Sequence, residues 1–399
     1  MVQAEVLRAW WGARQGLDAG DRSADPAEVL ESVGWARSVG GACAYLTLHS
    51  RSRIPRADAD AAVASLAVHE LPSARGCTYV VPSTHYALAL AMSQGTVGEI
   101  ATLGRLGVPA REVEQLADDI VEALGADQLD PAALKDRLGD RVRNLGPEGK
   151  KRGVTTTLPA ALGLLQTDGR IRRIPVDGRL DQQRYRYARW DDGPLVGSAP
   201  SAADARAELA RLFWTWAGPA TLGHFRWFSG LGAKVAKEAV AGLDLEPVAT
   251  DVEGLDGLLA LESDAKALDG HEASPDEHVE LVASIDSMVL LRRDLSTCVA
   301  PADLAHPLLA AETPSGGTLA DLPHHAIVDR GRVIGLWDFD PDAGTVVWAT
   351  FDRPTGAVRE AVAETEAFVR DELGDARAFS LDSPASRRGR LDALARFAT

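Results

Sequence analysis

The alternation of apolar and polar positions changes period several times along the chain, and each change predicts a new element. Residues 27–36, 41–51 and 57–68 carry apolar side chains at helical spacing, with Pro55 and Pro72 at their margins, which predicts three short helices. ARGCTYVVP, residues 74–82, is β-branched and aromatic, and predicts a strand. LPAALGLLQTDGR, residues 158–170, returns to helical spacing and stops at Asp168-Gly169. RIRRIPV, DGRLDQQ and RYRYARW then read as strand, turn and strand, basic and apolar residues alternating as on a half-exposed hairpin. A helix followed by a basic hairpin is the outline of a winged helix.

Further on, ELARLFWTWAG (208–218) predicts a helix ending at Gly218-Pro219, Thr221 is placed to cap TLGHFRWFS, and AKVAKEAVAGL predicts a third helix after Ser229–Gly232. Three short helices with tight glycine turns suit a helix-turn-helix. From about residue 282 the pattern becomes β-like in VASIDSMVLLRR, HHAIVDRGRVIGLWDFD and GTVVWATFD, with turns at Asp329–Gly331 and Asp340–Asp342, and a last helix is expected across 357–373. Turn-rich stretches at 191–204 and 262–278 suggest boundaries. The expected fold class is α+β, tandem winged-helix units with a C-terminal β-rich domain. The units are 1–95, 96–190, 200–262 and 280–399.

With 399 residues, several domains are expected. There is no apolar run long enough to span a bilayer and the N-terminus has no signal-peptide pattern, so a cytoplasmic protein without a membrane partner is expected. Three separated cysteines fit neither a zinc site nor a disulfide framework. The net charge of −16 argues against nucleic acid until its distribution is read. Residues 1–200 balance 24 basic against 25 acidic side chains, whereas the remainder holds 18 against 33. Within 141–189, 12 basic residues meet only 4 acidic ones, an electrostatic footprint for duplex DNA. The acidic second half offers a surface for a protein partner.

Standard catalytic signatures are missing: there is no nucleophile elbow, zinc-protease motif, phosphate loop or dinucleotide fingerprint. Asp338–Gly344 begins like a calcium loop but has Ala343 at the sixth position and Ala349 at the twelfth, so it reads as a hairpin turn. His324, His325 and Asp329 lack a further ligand nearby and read as strand-entry residues. No metal or cofactor is expected.

The order of SVGWARSVGGACAYLTLHSRSRIPRADADAAV, ARGCTYVVP, FWTWAGPATLGHFRWFSGLGAKVAKEAV, ASIDSMVLLRRDL and AIVDRGRVIGLWDFD resembles that of the AlkZ-like DNA glycosylases over roughly residues 5–380. The resemblance implies tandem winged helices forming a concave DNA-binding surface, and excision of alkylated or bulky-adducted bases in repair or self-resistance. It also implies a Gln-x-Gln or Gln-x-Asp pair that positions the attacking water. Here those positions fall on Trp35 and Arg37. Cleavage of the N-glycosidic bond develops a cationic sugar, which needs acceptors or anions nearby. Trp offers a donor and a π-face, Arg only donors and a full positive charge. Tyr79 likewise stands where many relatives have a histidine.

Both substitutions suit binding: Trp35 as a base-stacking wedge, Arg37 as a phosphate contact. Arg51, Arg53, Arg75, Lys150, Lys151, Arg152, Arg170, Arg172, Arg173, Arg184 and Arg186 complete the expected DNA-binding set. A shift in register brings Glu31 or Ser38 to the site, Glu31 as a water-activating carboxylate. The expectation is therefore a binder of damaged duplex DNA whose base excision is lost or altered. The alternatives are an active glycosylase with a rearranged site and a winged-helix transcriptional regulator.

Overall fold

The computed structural model describes every residue except 21, 96–97, 198, 253, 293–294, 311–318, 320–321, 323 and 398–399. After α1 (Ala4–Arg14), the chain forms α2 (Pro26–Val33), β1 (Ala36–Arg37), α3 (Cys43–Ser52), α4 (Arg56–Ala64), β2 (Val68–Pro72) and β3 (Thr78–Pro82). Their antiparallel sheet has the order β1-β3-β2. Sequence periodicity extends the helix of this unit to residue 36, but α2 stops at Val33 because Gly34 turns the chain at φ 100°. Ala36 and Arg37 thereby enter a strand. Pro26 at the first turn and Asp25, which accepts from the Ala27 amide at 2.7 Å, start α2.

A helical stretch follows: α5 (Tyr86–Ser93), α6 (Gly98–Arg105), α7 (Ala110–Leu124), α8 (Pro131–Leu138), α9 (Gly146–Lys151) and α10 (Leu158–Thr167). It ends in the expected hairpin, β4 (Ile171–Pro175) and β5 (Tyr185–Arg189). The next stretch has α11 (Ala202–Ala217), α12 (Leu222–Ser229) and α13 (Ala233–Val240), then β6 (Leu245–Val248) paired with β7 (Leu258–Leu261) and α14 (Glu262–Asp269). Thr221 caps α12 in a capping box with His224.

The remainder holds β8 (Val279–Val282), the short helices α15 (Ser287–Leu290) and α16 (Pro307–Ala310), β9 (His325–Asp329), β10 (Arg332–Asp340), β11 (Thr345–Thr350), α17 (Gly356–Phe368) and α18 (Pro384–Ala395). Here the expected strand over 282–293 is corrected: only Val282 is in β8, and Ser287–Leu290 is helical because the Asp286 carboxylate accepts from the Met288 amide at 2.9 Å. Arg293 lies outside the described residues. The sheet order is β11-β10-β9-β8. Apolar residues of α2, α3 and α4 share one buried cluster with β8, β10 and α17, so these helices and the C-terminal sheet have a continuous core. No helix among the described residues is long and apolar enough to cross a membrane.

Burial fixes the protonation of three histidines. It pulls His49 down to about 4, with Arg53 adding to the effect, His69 to about 3 with Arg173, and His224 to about 4 with Arg292. Unfolding restores an ordinary imidazole near 6.5, so the unfolded chain binds more protons below that pH. Stability from these groups is fully present above about pH 6.5 and is lost as pH falls through the folded values near 4 and 3. Urea midpoints are expected to be lower at pH 4.5 than at pH 7; equal midpoints would show that the histidines do not report on folding.

Candidate nucleic-acid interface

Strand β1 sets the site. Antiparallel pairing places Arg37 opposite Tyr79 and Ala36 opposite Val80, so Trp35, Arg37 and Tyr79 share one face of the small sheet. Arg37 is half-buried: its guanidinium lies over the Tyr79 ring at 5.3 Å and Nη1 donates to the Thr78 carbonyl at 3.4 Å. Burial pushes the Tyr79 phenol up to about 12, despite the opposing pull of Arg37.

Trp35 is not available to stack on a base. It is 2% exposed and packed among Trp216, Tyr79 and His85, with ring centroids at 5.6, 6.0 and 6.1 Å. Its Nε1 donates to His85 Nδ1 at 3.2 Å, which leaves the proton of the neutral imidazole on Nε2. Burial lowers the His85 pKa, against the opposing effect of Glu31. Glu31 is half-buried at this edge, its Oε1 accepting from the Thr84 hydroxyl at 2.5 Å.

The opposite face of the sheet holds a polar cluster that sequence reading missed. The Ser38 hydroxyl donates to Glu70 Oε1, Tyr185 OH donates to the same oxygen at 3.2 Å, and Arg173 Nη2 is 3.5 Å away. Glu70 and Ser38 are both buried. Arg173 is therefore occupied beneath the hairpin. The Gly40-Gly41 step serves the same closure: a side chain on Gly41 would sit 2.3 Å from the carbonyls of Arg377 and Ala378.

Two further arginines expected at DNA are also structural. Arg51 is fully buried, its Nη1 and Nη2 each 2.6 Å from an Asp286 oxygen and its Nε donating to the Gln15 carbonyl at 2.9 Å. Arg53 is clamped by Glu280 at 2.9 Å and Glu364 at 2.7 Å. Neither arginine's location could be read locally, because the carboxylates lie more than 200 residues away in sequence.

The basic stretch stays on the surface, partly neutralised. Lys151 pairs with Glu148, Arg170 with Asp118, and Arg184 with Asp177 at 3.7 Å. Lys150, Arg152 and Arg186 are exposed and Arg172 is half-buried. Exposed pairs of this kind contribute about 0–1 kcal/mol and are readily exchanged for phosphate.

Arg75 lies at the tip of the β2–β3 hairpin, exposed and in the left-handed region at φ 59°. Its guanidinium stacks 3.7 Å from the ring of Trp227 on α12. This contact joins the β2–β3 hairpin to α12. Trp227 was not among the sequence candidates, although an aromatic residue following Arg226 on a short capped helix was a signal that could have found it.

A family profile described as "DNA glycosylase AlkZ-like" matches residues 23–379. The chain belongs to the AlkZ-like DNA glycosylase family. Among solved structures, Streptomyces sahachiroi DNA glycosylase AlkZ superposes with a TM-score of 0.70 at 20% identity, covering 94% of this chain and 98% of that one. The likeness is one of fold. No curated protein sequence matches. In this member of the AlkZ-like family, the sheet face at β1 presents an aromatic-packed Trp35 and a cationic Arg37.

Proposed function

We propose that this AlkZ-like protein binds damaged duplex DNA and has lost efficient base excision. The observation that carries the reading is Arg37, a half-buried cation held over Tyr79 on the strand that the family resemblance assigns to water positioning. In a poorly solvated site, a positive charge there opposes the cationic sugar of N-glycosidic cleavage. The same charge attracts the phosphate backbone. The order α2-β1-α3-α4-β2-β3 supports reading the first unit as a winged helix with β2–β3 as its wing. The helices before β4–β5 and β6–β7 support the same reading for the second and third units, with the boundaries given above. A cytoplasmic location accords with this role.

The edge at Glu31 favours a second reading, an active glycosylase with a rearranged site. Burial lowers the His85 pKa, and Glu31 lies close enough to oppose part of that effect. Glu31 would then accept the proton of a water attacking the sugar carbon, as the base departs with the bonding electrons.

The test is a duplex carrying one N7-alkylated guanine, with binding and alkali-labile abasic sites measured together. Wild type is expected to bind and to release base no faster than the duplex alone, while Arg37→Gln is expected to gain release. Base release by wild type that disappears in Glu31→Gln would replace the first reading with the second.

A further inference from the structure

The wing-tip arginine carries a feature that a simple phosphate contact does not require. Arg75 holds a left-handed backbone, φ 59°, beside Gly76 at φ 66°. A non-glycine residue in that region is strained, and its persistence requires support from its surroundings. The support is visible: Gly230, the left-handed cap of α12, leaves the space that the Arg75 stem fills. A Cβ on Gly230 would stand 2.9 Å from Arg75 Cγ. The hairpin and α12 therefore shape one seat, in which the guanidinium lies 3.7 Å over the half-buried Trp227 ring.

The seat leaves chemistry unused. Among the described residues, the Arg75 guanidinium makes no hydrogen bond or ion pair, and the residue is exposed. The indole covers one side of the guanidinium, and the exposure of Arg75 leaves the group accessible to a second planar group. Arginine planes stack on nucleobases, and a flat guanidinium already ordered on tryptophan loses little freedom in doing so. Arg226, exposed and adjacent to Trp227, adds positive charge at the rim. Thr78, three residues along the same hairpin, receives the Arg37 hydrogen bond, so the seat and the strand carrying Arg37 are directly linked.

We propose that Arg75 and Trp227 form a stacking platform for one unstacked nucleobase of bound DNA, in a base–guanidinium–indole sandwich. The proposal rests on the DNA-binding reading above and assigns to Trp227 the aromatic role that Trp35 cannot fill. It also requires the planar guanidinium: charge alone serves a phosphate.

The experiment compares the full-length protein on two duplexes of identical flanking sequence, one fully paired and one with a single unpaired 2-aminopurine. Wild type is expected to bind the unpaired duplex about tenfold more tightly, within the usual range of aromatic–base stacking, and to quench the 2-aminopurine fluorescence. Arg75→Lys retains charge without the plane, and should lose most of the preference for the unpaired over the paired duplex, together with the quenching. Trp227→Ala should lose both as well; because it could also disturb α12, Arg75→Lys carries the decision. Retention of the preference and quenching in Arg75→Lys would overturn the platform and leave Arg75 as a charge contact. Equal wild-type affinity for the two duplexes would overturn it while preserving DNA binding. Absence of wild-type binding to both would overturn the DNA reading and the platform together.

Discussion

Arg51→Ala is expected to destabilise the protein by about 3–5 kcal/mol, the usual consequence of removing one partner from a buried ion pair. Both side chains of the Arg51–Asp286 pair are inaccessible to water. The Asp286 carboxylate also accepts from Thr47 Oγ1 at 2.9 Å and from the Met288 amide, so one charged group ties α3 to the start of α15. Removing the guanidinium leaves that carboxylate in the core with two neutral donors and no counter-charge. It also abandons the Gln15 carbonyl at the end of α1. Urea denaturation should show the loss as a large fall in midpoint. DNA affinity measured where the variant remains folded should match wild type. A variant as stable as wild type but weaker on DNA would restore the surface role that the sequence suggests for Arg51.

The contrast between Arg51 and Arg75 shows where sequence reading reaches its limit. Both arginines lie near apolar residues within 25 positions of each other, and both suit phosphate. Burial separates them: Asp286 holds Arg51 in the core, whereas Arg75 stays exposed against Trp227 of α12. Regular patterns were more readable. The α10–β4–β5 unit was visible because the period switches from helix to strand at an Asp-Gly stop, and Thr221 was visible as a cap because its chemistry is local. Strand β1 was not visible. It has two residues and exists by pairing with β3, more than 40 positions away, while the preceding helical pattern continues through Ala36. The neutralising side chains Glu112, Asp118 and Asp119 on α7 were also missed, since a charge count over 141–189 cannot see the helix that packs beside it. Within the candidate segment, the roles depend on which side chains the fold buries.

Trp35→Ala is the sharpest test of that redistribution. As a base-stacking wedge, Trp35 would be dispensable for folding and its removal would reduce lesion preference. The structure instead predicts a stability loss of about 3–5 kcal/mol, as expected for truncating a buried tryptophan. The indole fills the space between Trp216, Tyr79 and His85, and its Nε1–H satisfies the His85 acceptor. Trp35→Phe keeps an aromatic ring in that space and loses the hydrogen bond, so its expected loss is smaller: about 1 kcal/mol for the bond, together with the change in packing. Urea midpoints should fall in the order wild type, Trp35→Phe, Trp35→Ala. Because the side chain is 2% exposed, Trp35→Phe should discriminate damaged from undamaged duplex as wild type does. If Trp35→Phe loses discrimination at unchanged stability, the indole must leave the core to meet DNA, and the aromatic cluster is a closed state of the interface.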